Sequence, residues 1–155
     1  MDKICLQSYI SNICYRTNDR MRMTAASNGA LRILIACGMR RSMTMSEMAD
    51  SLGLAEPLVV KVCHQFAQGG YLVGQRGRNG GYRLAIPAQH VSAMEVIELF
   101  EGSGSLFPCR LHDDGACRIL ELCRLRMACE RAYAAFRAEL VSLTIAELAP
   151  DDLPG

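Results

Sequence analysis

Residues 44–86 read TMSEMADSLGLAEPLVVKVCHQFAQGGYLVGQRGRNGGYRLAI, and the punctuation of this stretch leaves little choice of fold. Thr44 followed three residues later by Glu47 is a capping box, in which each side chain satisfies a free backbone N–H of the other, and Gly53 stops the short helix that it starts. Pro57 stands in the first turn of the next helix, where its missing N–H costs nothing, and Gly69-Gly70 closes it. Two short helices joined by a tight, glycine-containing turn make a helix-turn-helix. YLVGQ and YRLAI then read as two strands around the turn RGRNGG, the second ended by Pro87. Such a pair of helices with a basic hairpin behind it is a winged helix: the second of the two helices enters a DNA major groove and the wing touches backbone or minor groove. A basic glycine-rich turn by itself is equally a solvated hairpin tip. Its position after these two helices favours DNA.

Around this motif the periodicity predicts three further helices. Residues 24–38 repeat apolar side chains at Ala30, Leu31, Leu34 and Ile35, and VSAMEVIELFEG runs to Gly102. A long amphipathic segment begins near Glu121 and reaches Leu143, with Leu122, Leu125, Cys129, Ala132, Phe136 and Leu140 at i+3/i+4 spacing. This stripe suits an antiparallel dimer helix, as two-fold operators favour dimers, while packing on its own core is the alternative. TIAELAPDDLPG makes a short helical turn and then frays. The expected fold is mainly α: a winged helix-turn-helix with a small two-stranded wing and a long C-terminal dimerisation helix. Its parts are an extension of no assigned role (1–20), the DNA-binding domain (21–88), a cysteine loop with the dimer helix (89–149) and a flexible tail (150–155).

With 155 residues, half of them apolar, the chain can bury one core. Its net charge of +1 conceals a division. Residues 21–84 carry eight basic side chains against three acidic ones, and residues 85–155 carry six arginines against eleven carboxylates. One half suits a polyanion and the other half does something else. No apolar run is long enough to span a membrane, and the first twenty residues do not read as a signal peptide. The expected location is therefore the reducing cytosol, where clustered thiols bind metal or sense redox state more often than they form structural disulfides. Cys109, Cys117 and Cys123, spaced Cys-x7-Cys-x5-Cys in a polar loop, are accordingly read as a ligand set. An enzyme would need a nucleophile poised on a base, but His64, His90 and His112 stand in dissimilar contexts, so no catalytic activity is expected.

MRMTAASNGALRILIACG, the wing GYLVGQRGRNGGYRLA and the three-cysteine loop followed by LRMACERAYAAF together resemble the Rrf2 family of winged-helix regulators, the group containing IscR, NsrR and RirA. The resemblance covers about residues 21 to 149 and implies a bacterial dimeric transcription factor. Such a protein holds an iron-sulfur cluster and changes its DNA affinity when the cluster is built, lost or nitrosylated.

Thiolates are the usual ligands of such clusters, and the x7 and x5 gaps let three of them wrap one while leaving an iron open. A 4Fe-4S cluster is the favoured form and 2Fe-2S the other. Zinc sites usually include a close Cys-x2-4-Cys pair, which is absent, although Cys109, Cys117, Cys123 and His112 could still hold zinc. A metal-free thiol switch is the remaining rival, and reduced packing cysteines the plainest one. The resemblance leaves the fourth ligand open. The aspartate that completes the cluster in the NsrR branch corresponds to Asn28, and the histidine that does so in the IscR branch corresponds to Arg126. His112, Asp113, Asp114, Cys129, water or a small thiol are further candidates, with Cys129 better explained as a packing residue on the apolar stripe. Cys37 and Cys63 read as structural core thiols, while Cys5 and Cys14 lie in the extension and carry no assigned role. The signal is accordingly iron supply or nitric oxide. For DNA, the candidates are Lys61 and His64 on the early face of the recognition helix and Arg76 and Arg78 on the wing, with ordinary solvated charge as the alternative for Lys61.

Overall fold

The computed structural model describes residues 23–40, 42–75, 77, 80–102 and 123–150. Helix α1 (Ala25–Met39) is started by Thr24, whose side chain accepts the Ser27 N–H at 3.2 Å. It turns Ala30, Ile33, Leu34, Ala36 and Cys37 into the core. The predicted capping box opens α2 (Met45–Leu52), with Thr44 N–H donating to Glu47 Oε2 at 2.7 Å and Glu47 N–H donating to Thr44 Oγ1 at 3.2 Å. Gly53 ends α2 in the left-handed conformation at φ 58°, which a residue with a Cβ enters only with strain. Helix α3 (Glu56–Gln68) has Pro57 in its first turn and buries Val59, Val62, Cys63 and Phe66.

The wing is an antiparallel pair, β1 (Leu72–Gln75) and β2 (Gly81–Leu84), in the register Leu72↔Leu84 to Gln75↔Gly81. The chain just before α2 adds a contact that the sequence did not disclose. Met43 N–H donates to Tyr82 O at 2.9 Å and Tyr82 N–H to Met43 O at 2.7 Å, so the entry to the helix-turn-helix is laced to the wing's second strand. A short 3-10 turn (Ala88–His90) leads into α4 (Ala93–Glu101), capped by Ser92, whose side chain accepts the Glu95 N–H at 3.2 Å.

Helix α5 (Arg124–Ser142) starts at Cys123, which is extended and serves as its N-cap; the periodicity alone placed the start near Glu121. None of its residues is buried, and Leu125 and Phe136 are 62% and 43% exposed. The chain then returns to the globular body. Thr144 pairs with Ser92, Ala93 N–H donates to Leu143 O at 2.8 Å, and Ile145 is buried in the core. The expected helical turn therefore exists at 144–148 and is docked, with Thr144 and Glu147 repeating the capping-box contacts. Residues 151–155, which make up most of the expected tail, lie outside the described residues, as does the extension at 1–20.

Gly81 is where the wing admits no side chain. A Cβ there would stand 2.6 Å from Met43 O and 2.8 Å from Ser42 Oγ, at a φ of 155°. Gly81→Ala is expected to break the Met43–Tyr82 lacing and cost about 1–3 kcal/mol. Urea unfolding followed by circular dichroism reads this as a lowered midpoint, and an unchanged midpoint would contradict it.

Candidate functional site

One face of α3 is set by what its other face buries. With Val59, Val62, Cys63 and Phe66 turned inward, Glu56, Pro57, Val60, Lys61 and His64 are left exposed. Both α3 residues expected to meet DNA, Lys61 and His64, thus share a single solvent-facing strip. Gln65 fixes the helix's rotation by donating its Nε2–H to Leu99 O of α4 at 2.8 Å. Tyr71, at the junction of α3 and the wing, donates its hydroxyl to Glu95 Oε1 at 2.7 Å. Burial first, and then the bond and charge of Glu95, push that phenol up to about 12. The guanidinium of Arg32 donates to Leu52 O, tying α1 to the end of α2. Arg76 and Arg78 lie outside the described residues. Arg83 on β2 is an exposed wing cation that the turn-based reading overlooked; its place in a strand beside a basic turn was the available signal.

Two separate groups of residues mark where the chain leaves and re-enters the described fold around the cysteine loop. Glu101, the last residue of α4, accepts the Thr24 N–H at 2.8 Å and the Ser27 hydroxyl at 2.5 Å, clamping the loop's departure point onto the first turn of α1. Partial burial raises the Glu101 carboxyl, but the Ser27 and Thr24 bonds outweigh it and hold the group below the ordinary carboxylate range. Asn28 is exposed on that same first turn of α1. At the far end of the loop the Cys123 sulfur accepts the Arg126 N–H at 3.5 Å, so the last thiol of the trio stands at a helix N-terminus, which favours anionic groups. Arg126 pairs with Glu130 at 3.3 Å through Nη1, yet its buried Nε has no hydrogen-bond partner among the described residues. Cys109, Cys117, His112, Asp113 and Asp114 lie outside the described residues, among which no three His, Cys, Asp or Glu side chains converge.

The remaining described cysteines differ sharply. Cys129 is half-buried on α5, whereas Cys37 and Cys63 are fully buried, the latter 3.6 Å from Met48 Sδ. Burial pushes Cys37 up to about 12, with Cys63 adding to it, and pushes Cys63 up to about 11.

A family model described as an iron-dependent transcriptional regulator, Rrf2, matches residues 23–151. The chain belongs to the Rrf2 family. As an Rrf2 protein it is a DNA-binding transcriptional regulator. Solved structures share the fold. The oxidized form of Staphylococcus aureus CymR is 20% identical with a TM-score of 0.66, over 87% of this chain and 100% of that one. T. potens IscR is 17% identical at a TM-score of 0.67, over 83% and 85% of the two chains. CymR (YrzC), the global cysteine regulator of B. subtilis, is 22% identical at 0.63, over 84% and 97%. No helix among the described residues is long and apolar enough to cross a membrane.

The two buried thiols link stability to alkaline pH. An unfolded thiol ionises near 9.0, while Cys37 and Cys63 hold their protons to about 12 and about 11. Above pH 9 the unfolded state therefore binds fewer protons than the folded one, and the stabilisation present below that pH is lost as pH rises towards 11–12. The unfolding midpoint of this Rrf2 protein is expected to fall between pH 9 and pH 11. A Cys37→Ala, Cys63→Ala variant should show a shallower fall; an equal slope in both proteins would assign the effect elsewhere.

Proposed function

We propose that this Rrf2 protein is a dimeric operator-binding repressor whose Cys109, Cys117 and Cys123 hold an iron-sulfur cluster, the state of which sets operator affinity. The observation that carries this reading is the position of Cys123. Its sulfur caps α5 by accepting the Arg126 N–H, and the Nε–H of that arginine has no hydrogen-bond partner among the described residues. A thiol held at a helix N-terminus, three residues ahead of an arginine, suits an anionic thiolate-and-sulfide group, so the donor set fits a cluster. When bound, the cluster supplies a centre whose assembly depends on iron supply and which reacts with nitric oxide.

The chain's own residues supply the rest of the mechanism. Glu101 and Cys123 fix the two ends of the loop, on α1 and on α5. The exposed Leu125 and Phe136 of α5 give a second copy an apolar stripe to cover, each worth about 1.5–3 kcal/mol when fully buried. A two-fold pair built this way spaces its two α3 helices, which must stand about 34–36 Å apart, or a multiple of that, to meet successive major grooves. A loop ordered around its ligand favours one spacing and a loose loop does not; a preference of a few kcal/mol suffices to move the population.

A metal-free thiol switch is the second reading, favoured by the likeness to a CymR crystallised in an oxidized form. Purification without oxygen, with iron, sulfide and zinc measured on one sample, separates the readings. A brown protein with matching iron and sulfide supports the cluster, and titrating it with an iron chelator and with nitric oxide distinguishes the two signals. A colourless protein whose DNA binding follows oxidation supports the switch, and one carrying zinc supports a zinc site. Cys109→Ala, Cys117→Ala and Cys123→Ala are each expected to lose the visible absorption and the response of operator binding to the signal. Wild-type behaviour in all three would sink the reading. For the DNA face, Lys61→Ala should weaken binding to all sequences alike and reduce the slope of log affinity against log salt by about 1. An unchanged slope removes Lys61 from the phosphate contacts.

A further inference from the structure

Along the ridge of α3, Glu56, Val60 and His64 follow one another at i, i+4 spacing, all three exposed. A carboxylate, an isopropyl group and an imidazole are therefore presented in line. Val60 is 47% exposed, while Val59 and Val62 of the same helix are fully buried. It is the most exposed large apolar side chain of the described residues outside α5, ahead of Met23 at 40% and Val73 at 37%. The core does not use it, and its polar neighbours show that a polar side chain would be accommodated there.

The edges of the base pairs offer Val60 a restricted choice. In the major groove guanine shows two acceptors, cytosine a donor, and adenine one of each, whereas thymine alone shows a methyl group. A valine bonds none of the polar atoms and would strip water from them without replacement, at a cost. Against the thymine methyl it removes apolar surface on both partners from water. Lys61 stands next to Val60 for the phosphates, and Glu56 and His64 flank it with hydrogen-bonding groups.

We propose that Val60 is a specificity residue of this regulator, reading one thymine in each operator half-site through its 5-methyl group. The inference rests on α3 being the helix that enters the groove. Its test uses the full chain and duplexes selected by it from a random-sequence pool, with each thymine of the half-site replaced in turn by deoxyuridine, which deletes only the methyl. One symmetric position is expected at which deoxyuridine weakens binding roughly fourfold per half-site, the equivalent of ~0.8 kcal/mol for one buried methyl group. Val60→Ala, which alters an exposed position and leaves the core intact, should lose a similar factor on the thymine duplex, keep the wild-type salt slope, and be indifferent to deoxyuridine at that position. The proposal is overturned if every thymine tolerates deoxyuridine, or if the penalty persists undiminished in Val60→Ala. Failure to select any sequence from the pool would instead remove the DNA reading of α3, and this inference with it.

Discussion

Phe66 is wholly buried and meets the ring of Tyr71 with centroids 5.7 Å apart and that of Phe100, edge to face, at 5.3 Å. The last turn of the recognition helix, the start of the wing and the end of α4 are thereby packed around one side chain. Aromatic pairs of this kind add about 0.5–1.5 kcal/mol each beyond their buried area, and their geometry resists rotation. Because Phe66 points inward, its helix can only present Glu56, Val60, Lys61 and His64 outward. The exposed strip proposed to meet DNA is a consequence of the core, and the hydrogen bond from Gln65 to Leu99 O fixes the same rotation with a polar contact.

Helix α4 extends that constraint to the rest of the chain. Its three carboxylates at 95, 98 and 101 are spaced by three and reach three different elements. Glu95 accepts from Tyr71 at the wing, Glu98 from Arg137 of α5 at 2.9 Å, and Glu101 from Thr24 and Ser27 of α1. The Glu98–Arg137 pair is exposed and by itself worth little. Together the contacts place the departure of the cysteine loop, the recognition helix and the long helix within the reach of one nine-residue helix. The acidic second half of the chain, which in the sequence was only a charge imbalance, thus has a structural use in α4.

Elements whose ends are dictated by local chemistry were readable from the sequence. The Thr44–Glu47 box, Gly53, Pro57 and Gly69-Gly70 mark boundaries that the structure reproduces, since capping is decided by residues three or four apart. The strand pair was equally legible, and so was the exposed side of α3 once its apolar positions were counted. What escaped was non-local. Nothing near Met43 announces its pairing with Tyr82, nor does TIAELAP disclose that Ile145 will dock beside Val91, because both depend on where distant segments come to lie. The start of α5 was misplaced by about one turn because apolar periodicity carries no boundary signal, and a cysteine is not a usual N-cap. Of the cysteine trio, only Cys123 lies in the described residues, so the sequence remains the source for Cys109 and Cys117.

The thiols are divided by environment more than by sequence spacing. Cys37 and Cys63 lie on the inner faces of α1 and α3, where desolvation keeps them protonated through the physiological range. A protonated, inaccessible thiol is a poor nucleophile and a poor metal ligand. Reagents that act on thiolates are thereby kept from the inner face of α3. Cys123 is half-buried at the start of α5, outside the core cluster, where its sulfur accepts the Arg126 N–H. A regulator that responds to such chemicals needs this division, because a signal that attacked Cys63 would unpack α3 and destroy the reader along with the message. Under the proposed function, a response at the far end of the loop would let the DNA-binding body change its position without losing its fold.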